Sequence, residues 1–166
     1  MPTTLAGPHP RRQPLYAVRM TRPSIFEYAG GAPAFRALAA DFHQRCLSDP
    51  HLNHPFANVG DPHHVDHLAE YWGAVLGGPP AYTRGHSYVL DLHARNGMET
   101  ELGEAFVRCF DAAVVAQLPD DERLRSTLHD YMRWAVAEVM VYDPPDSVVP
   151  TGLPTPHWGW DGPGRP

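Results

Sequence analysis

The sequence predicts an all-α protein, and three observations carry that expectation. From residue 24 to about residue 142 the apolar residues recur every three or four positions, the spacing of one buried helix face. No segment alternates β-branched with polar residues over the length of a strand. The breaks between periodic segments are glycine and proline clusters such as Gly30-Gly31 and Gly77-Gly78-Pro79-Pro80, which suit helix ends.

In chain order, a short helix is expected over 24–29. Gly30-Gly31 stops it, because glycine adopts the left-handed conformation that closes a helix. Pro33 opens the next helix, over 33–48, where Phe35, Leu38, Ala39, Phe42, His43 and Cys46 fall on one stripe. The poorly periodic HLNHPFANV that follows predicts a single turn. Asp61 as N-cap, with Pro62 in the first helical position, starts a helix that runs to Gly77; its inward arc is Val65, Leu68, Trp72, Val75 and Leu76. A brief helix over 87–94 lies between Gly85 and Gly97. Thr100 is placed to cap a core helix whose stripe is Leu102, Ala105, Phe106, Cys109, Phe110, Ala113 and Ala116. PDDE at 119–122 opens the last helix with carboxylates against the positive end of its dipole. Leu124, Leu128, Tyr131, Met132, Ala135 and Val139 form its inner face, and the preceding turn is so short that the last two helices must pack antiparallel.

The length suits one domain, at 24–142. The nineteen prolines concentrate on either side of it, so 1–23 and 143–166 read as extended proline-rich tails, the second carrying Trp158 and Trp160 with which to dock on the domain. A formal charge of -6 leaves no basic face for nucleic acid, and a small molecule is the expected partner. Cys46 and Cys109 both sit in apolar helical patterns, as small buried hydrophobes do, which suits a reduced, cytoplasmic setting. No apolar run approaches the ~18 residues of a membrane span, and the N-terminus lacks the apolar stretch of a secretion signal. Neither a membrane nor a secreted location is expected.

Chemistry concentrates in the histidines, three of the eleven lying in DPHHVDH at 61–67. On a helix turning about 100° per residue, His64 lies at the edge of the inward arc beside Leu68, Tyr71 and Val75. His63 and His67 fall on the polar side with Asp66 and Glu70. Four residues apart, these two could share a metal ion, but no third ligand is in view and a solvated helix face accounts for them. His43 and His93 lie on two other helices. A histidine on an apolar face is ordinarily a hydrogen-bonded core residue. Three such histidines on three helices, each needing a polar partner when buried, also suit a large apolar cofactor with a metal centre. Phe42, Phe56, Leu68, Tyr71, Trp72, Phe106 and Met132 offer lining enough for a porphyrin, although residues of these types are core by default.

The segments SIFEYAGGAPAFRALAADFHQRCLSDPHL, HPFANV, LAEYWGAVLGGPPAYTRGH, LDLHARNGM, LGEAFVRCF and LHDYMRWAVAEVMV, in that order and spacing, resemble the truncated haemoglobins, most nearly their second group. The resemblance covers about residues 24–142. It implies a two-over-two helical sandwich in place of the full globin fold. Haem b (iron protoporphyrin IX) would lie between the helix ending at Gly77 and the pair at 100–118 and 121–141. It implies His93 as the proximal ligand to iron, a task that a neutral imidazole suits. Phe56 matches an aromatic wedge against the porphyrin, and His64, Leu68, Tyr71 and Trp72 match distal-helix positions, with His64 at the gate. Phe106 matches a pocket position; Phe42, His86, Leu92 and Met132 complete the implied haem contacts. Two positions depart from the family pattern: His43 stands where tyrosine is usual, and Phe106 where tryptophan is. The first keeps a hydrogen-bond donor but makes it titratable near neutrality, and the second deletes an indole N–H.

The implied function is binding of O2, NO, CO or peroxide as small ligands, by a monomer or homodimer. Nitric oxide dioxygenation or peroxidase-like turnover would further require a reductase or a peroxide source. His43 and His64 are the candidate catalytic residues: either could hold bound oxygen, serve as an acid–base group in O–O cleavage, or ligate the iron itself. Three alternatives stay open. They are a haem-based sensor or interaction module working through the tails, a haem enzyme specialised for a biosynthetic reaction, and a globin fold that has lost haem.

Overall fold

A computed structural model describes residues 22–97 and 100–164; the rest of the expected N-terminal tail, 1–21, lies outside the described residues. The helices are α1 (Ile25–Ala29), α2 (Gly31–Ser48), α3 (Asn53–Ala57), α4 (His64–Val75), α5 (His86–His93), α6 (Thr100–Gln117) and α7 (Glu122–Met140). A two-residue ribbon, β1 (Trp158–Gly159) against β2 (Gly162–Pro163), is the only strand pairing among the described residues, so the all-α expectation holds.

Local chemistry sets the ends. Ser24 and Glu27 form a reciprocal capping box: the Ser24 hydroxyl accepts from the Glu27 N–H, and the Glu27 carboxylate accepts from the Ser24 N–H. Gly30 closes α1 in the left-handed conformation at φ 113°, and α2 begins at Gly31, two residues ahead of Pro33. Asp121 caps α7, its carboxylate accepting from the Leu124 N–H at 2.7 Å.

Three expectations are corrected. Asp61 is not the N-cap of α4, which starts at His64. The Asp61 carboxylate accepts from the His63 N–H (2.9 Å) and also meets His67 Nδ1 (2.7 Å) and Arg84 (3.2 Å), which holds residues 62–63 in a turn. His67 is therefore half-buried in a hydrogen-bonded cluster around Asp61 instead of lying on open surface. Ala116, assigned to the stripe of α6, is exposed. Two successive three-residue steps, from 110 to 113 to 116, each turn the face by about 60°, out of the core.

The helices form the two-over-two arrangement: α2 packs on α4 and on α6, and α6 packs on α7. Their crossing is aromatic. Phe42 is fully buried, with ring centroids 4.8 Å from Phe106, 5.3 Å from Trp72 and 6.3 Å from Phe110. Burying one such side chain stabilises by about 1.5–3 kcal/mol. At the end of α4, Phe26 seats on two glycines; a Cβ at Gly78 would come within 2.7 Å of its ring.

The C-terminal segment docks through its tryptophans. Trp158 is buried against Tyr131 and Trp134, at 5.8 and 5.5 Å between ring centroids. Trp160 donates its indole N–H to the Pro23 carbonyl at 2.8 Å, under the guanidinium of Arg22, which lies 3.9 Å from the ring centroid. Among the described residues no helix is long and apolar enough to cross a membrane.

Candidate functional site

The apolar faces of α4, α5, α6 and α7 converge on one cleft. Leu68, Tyr71 and Trp72 of α4 line it, with His86 and His93 of α5, Phe106 of α6 and Met132 of α7, all of them singled out in the sequence. The spacing of α5 explains its share: His86, Val89, Leu90 and His93 fall at i, i+3, i+4 and i+7, one face of a helix. Leu92 falls off that face, is 54% exposed and lies outside the cleft. Phe42 sits behind the cleft wall, against Phe106.

His93 is held in one orientation. Its Nδ1 lies 2.7 Å from the Val89 carbonyl, an acceptor, so Nδ1 carries the proton and Nε2 carries the lone pair. Burial pushes its pKa below the ordinary value and keeps the ring neutral. Just past it, Arg95 pins the end of α5. Its N–H donates to the Tyr142 carbonyl (3.0 Å), and its guanidinium donates to the Ser147 carbonyl (2.9 Å) and the Asp91 carboxylate (2.6 Å).

His43, Phe56 and His64 line a second, adjoining cavity between α2, α3 and α4. The two imidazoles face each other with centroids 5.3 Å apart, and Phe56 touches both rings, at 5.6 and 5.9 Å. Phe56 also meets Phe106 at 6.1 Å, so the second cavity borders the cleft. Nδ1 of His43 and Nε2 of His64 are buried with no hydrogen-bond partner among the described residues. Burial pushes the His64 pKa down to about 4, with the charge of His43 as the next cause; burial lowers His43 as well. Both rings are thus neutral at pH 7, each offering one N–H and one lone pair.

A third feature was not foreseen from the sequence. The Tyr71 hydroxyl lies 2.8 Å from Nδ1 of His86, and Nε2 of His86 lies 3.1 Å from the Glu138 carboxylate. Glu138 was not singled out, although it continues the inner stripe of α7: Leu124, Leu128, Tyr131, Ala135 and Glu138 fall at i, i+4, i+7, i+11 and i+14. A carboxylate in an apolar stripe was the available signal.

Among the described residues no group of three or more metal-ligating side chains could hold a metal ion unaided, and His63 and His67 stand with ring centroids 6.2 Å apart. In the cleft, one neutral imidazole presents a lone pair within an apolar, aromatic wall. That donor set fits an iron whose remaining in-plane ligands come from a macrocycle, and the residues present therefore fit haem.

The model of the bacterial-like globin family matches residues 24–140. The chain belongs to the bacterial-like globins. Solved structures agree on the fold. A haemoglobin from the thermophilic phototrophic bacterium Chloroflexus aurantiacus is 27% identical with a TM-score of 0.62, over 71% of this chain and 98% of the other. The group II 2-on-2 haemoglobin of Agrobacterium tumefaciens is 20% identical (TM-score 0.63; 73% and 96%). A thermostable haemoglobin of Thermobifida fusca is 22% identical (TM-score 0.61; 79% and 100%). No curated protein matches the chain. The resemblance to truncated haemoglobins read from the sequence is thereby established. Membership implies haem as this globin's prosthetic group and a small gaseous molecule as its ligand.

Proposed function

We propose that this globin binds haem b in the cleft between α4 and α7 and holds O2 or another diatomic ligand reversibly, on iron ligated by Nε2 of His93. The observation that carries the reading is the His93–Val89 hydrogen bond, which fixes the tautomer and leaves the lone pair free for a metal. Haem, when bound, supplies a ferrous iron with one exchangeable position for a diatomic molecule. The chain's own residues do the rest. Leu68, Trp72, Phe106 and Met132 give the porphyrin an apolar seat and exclude water. His43 and His64, neutral and with unpartnered nitrogens, supply the N–H that steadies a bound oxygen atom. The same N–H groups would serve nitric oxide dioxygenation or peroxide reduction if a reductase or peroxide is supplied. A reduced cytoplasm suits two buried free thiols, Cys46 and Cys109.

The test is the absorption spectrum of the haem-loaded protein. A Soret band that shifts with CO in the wild type, and that is lost or altered in His93→Ala, is expected. Failure to take up haem, or an identical spectrum in His93→Ala, overturns the reading.

A further inference from the structure

Tyr71, His86 and Glu138 form a polar line through an otherwise apolar cleft. Tyr71 and His86 are buried at 9% and 4% exposure, and their rings are parallel to within 5°, with centroids 6.2 Å apart. Glu138 is the wet end, its side chain 28% exposed. One assignment of protons satisfies every member. The phenol O–H donates to Nδ1 of His86, and the Nε2–H donates to the Glu138 carboxylate. Each group comes from a different helix, α4, α5 and α7.

As a structural brace this is an expensive choice. Two apolar side chains would fill the buried space without the cost of desolvating a phenol and an imidazole, and buried polar groups are often no more stabilising than hydrocarbon of equal volume. The arrangement instead has the parts of a proton-coupled donor. A phenol loses an electron readily only if its proton leaves at the same time, and here an imidazole nitrogen within hydrogen-bond distance stands ready to take it, with a carboxylate behind to stabilise the resulting cation. Tyr131, the other phenol on the cleft, has no hydrogen-bond partner among the described residues. Burial raises the Tyr71 phenol above its ordinary pKa and so keeps it protonated until an oxidant is present.

We infer that Tyr71 is a redox-active tyrosine that donates an electron toward the cleft's haem during reduction of hydrogen peroxide, with His86 as the acceptor of its proton and Glu138 as the residue that positions His86. This inference rests on the proposed haem site.

Hydrogen peroxide takes up two electrons and two protons; its O–O bond breaks and it leaves as two water molecules. One electron is made good by Tyr71: its O–H bond breaks, the electron passes into the cleft and the proton crosses to Nδ1 of His86, leaving a neutral phenoxyl radical. His86 is then a cation facing the Glu138 carboxylate. Ascorbate returns one electron to the phenoxyl oxygen, and the proton comes back from Nδ1. A second ascorbate molecule restores the other electron. Each ascorbate releases one proton, which together supply the two that peroxide consumed.

The experiment is freeze-quench electron paramagnetic resonance of the haem-loaded protein mixed with hydrogen peroxide, in wild type, Tyr71→Phe and His86→Gln, with ring-deuterated tyrosine incorporated in parallel. An organic radical whose hyperfine pattern changes on tyrosine deuteration, lost in Tyr71→Phe and slower to disappear with ascorbate in His86→Gln, is expected. Persistence of the same tyrosyl signal in Tyr71→Phe overturns the assignment. So does wild-type haem that reacts with peroxide and gives no tyrosyl signal. The deuteration arm uses the unmutated protein, so its outcome does not depend on either variant folding. Absence of haem uptake, seen as a missing Soret band before peroxide is added, overturns the haem site itself and is thus told apart from failure of the tyrosine assignment.

Discussion

The imidazoles of His43 and His64 face each other across 5.3 Å between centroids, and each keeps a buried nitrogen with no partner among the described residues. An unpaired buried polar nitrogen costs about 1–3 kcal/mol of stability. Both residues line one cavity, and under the proposed function a polar ligand atom there would complete the bonding.

Replacing one ring with a hydrocarbon of similar size should then trade ligand retention for stability. His64→Leu is expected to stabilise the ligand-free protein by roughly 1 kcal/mol. It should speed O2 dissociation by roughly tenfold, the equivalent of one lost hydrogen bond to ligand. Denaturant melts and stopped-flow displacement of O2 by CO measure the two effects. A variant that releases O2 no faster than wild type would remove His64 from the ligand's surroundings.

The same residue sets a pH dependence. Its folded pKa, near 4, lies below the ordinary histidine value of about 6.5, so between these limits the unfolded chain binds more protons than the folded one. Stability contributed by the neutral ring is whole above about pH 6.5 and is lost as the pH falls toward 4. The ring's partial exposure reduces the loss to roughly 1–2 kcal/mol. Wild type should therefore lose ground to His64→Leu on going from pH 7 to pH 4.5 in urea titrations. A constant difference would mean that the ring is solvated.

The helices and most of the cleft were legible in the sequence because their signal is periodic. His93 shares a face with Val89 and Leu90 by spacing, whereas His86 lies one residue before the helix expected over 87–94 and is reached only through the family resemblance; Gly30 closes α1 because its φ of 113° is costly for other residues. What the sequence did not show was pairing at a distance. Nothing local tells that Glu138 meets His86, 52 residues away, or that the Asp61 carboxylate spends itself on His63, His67 and Arg84 instead of capping α4. Leu92 shows the complementary limit. Adjacency to His93 in the sequence places it about 100° round the helix and out to solvent.

Trp158 makes the C-terminal segment part of the core. Its ring lies against Tyr131 and Trp134, and Tyr131 itself lines the cleft. Trp158→Ala is expected to cost about 3 kcal/mol, in the range for a buried large aromatic residue. It should also loosen the cleft wall enough to speed haem loss to a scavenger apoprotein. Trp160→Ala, which removes a hydrogen bond to Pro23 and an exposed cation–π contact, should cost about 1 kcal/mol. Equal effects of the two substitutions would contradict this division of labour.

The close of α4 makes the sharpest packing prediction. Gly78 has ordinary backbone geometry, so the case against a larger residue is steric: a Cβ would sit 2.7 Å from the Phe26 ring and 2.8 Å from the Gly73 carbonyl oxygen. The Gly78 N–H also donates to that carbonyl at 2.8 Å, so the ring cannot be relieved by sliding the backbone without lengthening the bond. Gly78→Ala is accordingly expected to destabilise by about 1–3 kcal/mol, the usual cost of overpacking. Truncating the obstacle tests the cause. In a Phe26→Leu background the same substitution should cost less, because the flexible aliphatic side chain can withdraw, and a double-mutant cycle reads the coupling directly. Additive costs would place the strain at the Gly73 carbonyl alone.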